Sequence, residues 1–116
     1  MHIEAFEFGS IRIDGRRFDC DVVLRNGKIR KRKKKASKPY KGLFGHTPLS
    51  VAEDIPWKCD RLVIGTGAHG RLPVMHEVRD EAERRGVELV VLPTRKAIEE
   101  VNRGKRRTNA ILHVTC

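Results

Sequence analysis

The chain has no Cys-x-x-Cys pair, and its three cysteines, Cys20, Cys59 and Cys116, are an odd number. That excludes a disulfide framework and a paired-cysteine metal site, and it predicts reduced thiols in a cytoplasm-like compartment. No apolar run approaches the 18 residues of a membrane span, and the first residues contain no signal-like apolar stretch. Neither a membrane span nor an export signal is expected. His46, His69, His76 and His113 share no compact ligand spacing, so neither a metal nor another cofactor is predicted. Acidic residues are absent from Lys28 to Lys41, a stretch holding nine Lys and Arg. The net charge is +10, yet outside that stretch 16 basic residues face 15 acidic ones, a balance of +1. The basicity is therefore local.

At 116 residues the chain is read as one domain, 1–116, long enough to bury roughly two thirds of its unfolded surface. Residues 1–45 hold a β meander and a basic connection, and 46–116 an α/β unit. In the first part, Asp14-Gly15 and Asn26-Gly27 are hairpin turn dipeptides between β-rich runs. Ile11 and Ile13, and again Phe18, Cys20 and Val22, alternate with polar neighbours, the pattern of a sheet with one buried face. After the basic connection, Thr47 and Pro48 predict the cap and first position of a short helix.

Beyond Cys59 the pattern changes. Leu62–Ile64, Val87–Leu92 and Asn109–Thr115 are apolar strands. Two helices are predicted between them, one opened by Pro73 and closed by Gly86, the other capped by Thr94 and closed by Gly104. A β-α-β-α-β order implies three parallel strands joined by right-handed crossovers. The expected fold class is α/β with α+β character, in three layers. Two helices would cover one face of the three-stranded parallel sheet, and the antiparallel meander would cover the other.

The segment RLVIGTGAHGRLPV contains Gly65-x-Gly67-x-x-Gly70, the spelling of a dinucleotide fingerprint. A true fingerprint starts its helix at the second glycine. Here Pro73 would then lie inside the helix, remove a backbone bond and clash with the preceding turn. The second strand also ends in Leu92-Pro93-Thr94, without the acidic residue that binds ribose. The dinucleotide reading fails. Two readings of the glycines stay open: tight turns that need positive φ, or a ligand edge. All parallel strands end on one edge, which gathers Gly65, Thr66, Gly67, Gly70, Thr94 and His113, and two helix N-termini there would favour an anion. A His113–Cys116 nucleophile pair is not favoured. Residues three apart on a strand face opposite sides, and the carboxylate beside a terminal thiol opposes thiolate formation.

Lys31, Arg32, Lys33, Lys34 and Lys35 are the nucleic-acid candidates. With only Tyr40 and Phe44 nearby, base stacking is poorly supported, and a solvated loop is the favoured reading. Four phosphate contacts would give a log–log salt slope of about −3.6 on duplex DNA.

The sequence resembles a family of small uncharacterised domains that includes a mitochondrial respiratory complex I assembly factor and an adipogenesis-associated protein. The resemblance spans nearly the whole chain. It runs through Phe8-Gly9, Ile11-x-Ile13 with Asp14-Gly15, Asp21-Val22-Val23-Leu24, Ile64-Gly65-Thr66-Gly67, Pro93-Thr94-x-x-Ala97 with Asn102, and Leu112-His113-x-Thr115-Cys116. It implies an antiparallel sheet packed on a small α/β unit, no established catalytic residues, and a role in protein interaction or assembly. The expected function is therefore a non-enzymatic interaction or assembly-factor module with a protein partner. The alternatives are a small-anion-binding domain using the glycine edge, or electrostatic nucleic-acid binding by Lys28–Lys41.

Overall fold

The computed structural model describes residues 1–104 and 106–116. Both turn dipeptides act as expected: Asp14 and Gly15 have φ of 49° and 80°, and Asn26 and Gly27 have 49° and 78°. Two successive positive φ values give the turn whose twist matches flanking strands. The first turn joins β2 (Ser10–Ile13) to β3 (Arg16–Phe18), and with β1 (Ile3–Glu7) they form a three-stranded antiparallel sheet, order β1-β2-β3. The second joins β4 (Val22–Arg25) to β5 (Lys28–Lys31).

This second hairpin leaves the meander. β4 pairs antiparallel with β8 (Thr108–His113), which pairs parallel with β6 (Arg61–Thr66), which pairs parallel with β7 (Glu88–Leu92). The expected three parallel strands are present, but they sit in a five-stranded mixed sheet of order β5-β4-β8-β6-β7. The reason lies in β4, where Val22, Val23 and Leu24 are all buried. A strand apolar on both faces belongs inside a covered sheet rather than in a meander with one wet face.

The helices also differ from expectation. α2 (His76–Arg84) and α3 (Thr94–Arg103) lie on opposite faces. Leu62, Ile64, Val23 and Ile111 pack with Val78 and Ala82 of α2, whereas Val63, Ala110 and Leu112 pack with Ala97 of α3 and with Ile3, Ile11 and Ile13 of the small sheet. The chain moves from β6 out to β7, then back across β6 to β8. Right-handed crossovers in opposite directions put their helices on opposite faces. The small sheet and α3 thus share one face, while α2 shares the other with Leu49, Ile55 and Cys59.

No helix forms at Thr47–Pro48. Leu49, fully buried, instead pairs with Val74: its N–H donates to Pro73 O at 2.8 Å and its carbonyl accepts from Met75 N at 2.9 Å. The same bonds hold 73–75 extended, so α2 begins at His76 rather than at Pro73. The basic connection has structure of its own, a 3-10 turn at Lys35–Tyr40 followed by the one-turn α1 at Lys41–Phe44. Asn102, at the end of α3, accepts from Ile3 N–H and donates to Ile3 O, both at 2.9 Å, and so stands in as a strand partner for β1. Among the described residues no helix is long and apolar enough to cross a membrane.

Candidate functional site

The glycine segment is a packed turn. At Gly67, φ is +103° and a Cβ would lie 2.2 Å from Thr115 O and 2.9 Å from His113 Cδ2. At Gly65 a Cβ would lie 2.8 Å from Thr94 Oγ1. Both glycines therefore admit the chain's own atoms, which is the structural reading of the motif. The loop's donors are engaged internally: Gly67 N–H on Thr94 Oγ1, Ala68 N–H on Thr115 O, His69 N–H on Cys116 O and Leu72 N–H on Thr66 O, at 2.8–3.0 Å.

Thr94 does not cap α3. Pro93 holds the cap position, and the Thr94 hydroxyl, fully buried, donates to His113 O at 2.7 Å while accepting from Gly67. It pins β6, α3 and β8 together. Thr94 N–H donates to Gly67 O, and Lys96 and Ala97 N–H both donate to Pro93 O, so three of the donors that would receive an anion at this helix start already have partners. Gly65, Thr66, Gly67, Gly70 and Thr94 thus shape the edge from beneath. Of the six edge candidates, His113 is the one that lines the adjoining cleft.

That cleft, of about 240 Å³, is lined by Lys34, Lys41, His46, Arg71, Thr115 and Cys116 beside His113, with no Asp or Glu side chain in its walls. Its cations come from the segment after β5, from α1 and from the loop after Gly70. Among the described residues none of the three has an ion-pair partner. A larger cavity, about 430 Å³, lies over Trp57, but its rim carries Asp54 and Arg85 is stacked 5.4 Å from the Trp57 centroid. Mixed charge and a covered ring make it the weaker candidate for an anion.

Beneath the cleft runs a buried ion network that the sequence did not reveal. Arg32, expected to face phosphates, has a side chain only 1% exposed. It donates to Glu53 at 2.7 and 2.8 Å, to Asp21 at 3.0 Å and to Pro48 O at 3.1 Å. Ser37, buried, donates to Glu53 and lies 2.6 Å from Ser50 Oγ. Arg32 therefore leaves the set of residues able to meet a nucleic acid, while Lys31, Lys33, Lys34 and Lys35 remain exposed. Arg32 sits on the first residue past β5, where the hairpin turns its side chain inward. Burial disfavours its charge, but Glu53 and then Asp21 outweigh that and raise its pKa.

Asp21 carries the network to the cleft. Its Oδ1 accepts from Val114 N–H at 2.9 Å, and its Oδ2 lies 2.7 Å from His113 Nδ1. His113 Nε2 in turn lies 3.2 Å from Thr115 Oγ1. Burial would push the Asp21 carboxyl up, but hydrogen bonding and charge from His113, the Val114 N–H and Arg32 hold it below the ordinary value. His113 and Cys116 do not form a pair. The thiol's hydrogen-bond contacts are Thr115 Oγ1 at 3.8 Å and His46 Nδ1 at 3.9 Å.

Asp21, Glu53, Lys41, His46, Arg71 and Thr115 were not singled out as site residues from the sequence. One signal was available: no acidic residue occurs between Asp21 and Glu53. A buried cation from the intervening tract cannot find a carboxylate within it, and here Asp21 and Glu53, at the two ends of the gap, supply the pair.

Comparison with known proteins agrees with this architecture. The conserved hypothetical protein PH1505 from Pyrococcus horikoshii OT3 is 33% identical, with all of both chains covered and a TM-score of 0.80. The structure MT938 is 27% identical over 99% of this chain and 98% of that one, with a TM-score of 0.77. A Mth938-like domain from Bordetella pertussis, solved by solution NMR, shares the fold at 18% identity, covering 97% of this chain and 85% of its own, with a TM-score of 0.62. A search of the curated proteins finds no match. Residues 3–113 match a family described as protein of unknown function, DUF498/DUF598, and the chain belongs to that family.

Proposed function

We propose that this domain is a non-enzymatic binding module that receives an anionic group in the cleft at the carboxyl ends of its parallel strands. The observation that carries the reading is the lining: Lys34, Lys41 and Arg71 converge from separate segments on a cleft with no Asp or Glu side chain in its walls. Holding three like charges around one cavity costs Coulomb energy that an anion relieves. The glycine turn contributes by placing Arg71.

Thermal unfolding with added sulfate or inorganic phosphate, at ionic strength matched with chloride, tests the reading. An anion present at a hundred times its Kd stabilises by about 2.7 kcal/mol, which raises Tm by about 10 °C in a domain of this size. The combined variant Lys34→Ala, Lys41→Ala, Arg71→Ala should lose that shift. No shift in the wild type, or an equal shift in the variant, would refute the proposal.

A second reading, a protein partner docked at the cleft rim, is favoured by α1. Leu43 and Phe44 are 77% and 41% exposed there, two and three residues from Lys41. The resemblance to a family that includes an assembly factor supports the same direction. In that case the anionic group belongs to the partner.

A further inference from the structure

The contacts below the cleft fix the direction of a hydrogen-bond relay. Both Asp21 oxygens already receive donors, Oδ1 from Val114 N–H and Oδ2 from Arg32. An ionised carboxylate can only accept, so the 2.7 Å contact makes His113 Nδ1 a donor. Nε2, 3.2 Å from Thr115 Oγ1, is then the nitrogen free to change. Without a proton it accepts the Thr115 hydroxyl hydrogen, and the hydroxyl oxygen offers only lone pairs to the cleft. With a proton it donates to Thr115 Oγ1, and the hydroxyl hydrogen is released from Nε2, free to leave its weak contact with Cys116 Sγ at 3.8 Å for an acceptor in the cleft. The first state repels an oxyanion; the second hydrogen-bonds it.

We infer that Thr115 is the residue that selects an acceptor-only oxyanion, a sulfate or phosphate-ester group, and that binding it takes up one solvent proton at His113 Nε2. This rests on the anion-binding reading of the same cleft. The only bond formed to hydrogen is N–H at Nε2, and the Thr115 hydroxyl keeps its own hydrogen throughout. The charges facing His113 support the coupling. Asp21, backed by Arg32 and Glu53, leaves the buried network one negative charge in excess, which an imidazolium cancels. From the cleft, Lys34, Lys41 and Arg71 oppose that proton, with His46 and the thiol and terminal carboxylate of Cys116 as the other titratable neighbours. An anion among the three cations removes the opposition, so anion and proton each favour the other's binding by the same factor.

Isothermal titration of inorganic sulfate tests this between about pH 5.5 and 8, the range in which histidines titrate. The wild type, measured in two buffers of different ionisation heat, should take up about one proton per sulfate, with affinity rising as pH falls. Thr115→Val should bind sulfate about ten- to a hundredfold more weakly, the worth of one hydrogen bond to a charged group, and take up clearly less than the wild type's proton, only the charge coupling remaining. Thr115→Ser should restore both. His46→Ala should weaken binding but keep the uptake. Undiminished uptake in Thr115→Val, or its loss in His46→Ala, would overturn the inference. Sulfate binding that is indifferent to pH would refute the relay while leaving the anion site standing. No sulfate binding at any pH would refute both.

Discussion

Replacing Arg32 by methionine removes the one cation that serves two buried carboxylates. Glu53 and Asp21 have side chains only 3% and 10% exposed. Methionine fills most of the space but leaves Glu53 with the Ser37 hydroxyl, and Asp21 with His113 and the Val114 N–H. Breaking a buried ion pair from one side costs about 3–5 kcal/mol. With an unfolding entropy of about 2.1 cal/mol/K per residue, that lowers Tm by about 12–20 °C. Lys33→Met, one residue along the same tract and exposed, should stay within about 0.5 kcal/mol of the wild type. Circular dichroism melts at pH 7 make the comparison.

The pH dependence supplies a second handle on the same residue. The Asp21 pKa is depressed in the folded state below its ordinary 3.8. Its stabilising contribution is therefore complete above that value and is lost as pH falls through the folded one. The wild type should thus lose stability below about pH 4. Arg32→Met, whose uncompensated carboxylates are relieved by protonation, should lose less, so the gap between the two narrows in acid. A variant melting within about 3 °C of the wild type at pH 7, or a Lys33→Met variant that falls as far, would refute the reasoning.

Gly67→Ala should destabilise by more than the roughly 1–3 kcal/mol of a strained backbone conformation alone, because its Cβ meets Thr115 O at 2.2 Å. Gly15→Ala, with φ of +80° but nothing within 4 Å, provides the comparison in urea unfolding, and equal midpoint shifts would contradict the packed-turn account. Thr94→Val leaves Gly67 N–H and His113 O without their buried partner and should cost about 1–3 kcal/mol. Thr94→Ser keeps the hydroxyl and should cost markedly less, so equal losses for Val and Ser would point to packing of the Thr94 methyl instead.

The three parallel strands, the two hairpin turns, the β-α-β-α-β order and the two long helices were legible because each follows from a local rule. Asp-Gly and Asn-Gly set turn geometry over two residues, and a period of two or 3.6 marks a buried face within one element. The failure of the dinucleotide fingerprint was legible for the same reason, since Pro73 excludes a helix from Gly67 by its own missing N–H. The sequence by itself thus determined the fold class and most of its elements. Tertiary structure decided which strand the second hairpin joined, which face each helix took and which charges were buried. Those outcomes depend on residues distant in the chain: β4 meets β8 some ninety positions later, Leu49 is held by Val74, and Arg32 turns inward because Asp21 and Glu53 arrive from either side. Arg32 and Lys33 look alike along the chain, and their difference arises only where carboxylates make it possible to bury one of the two charges.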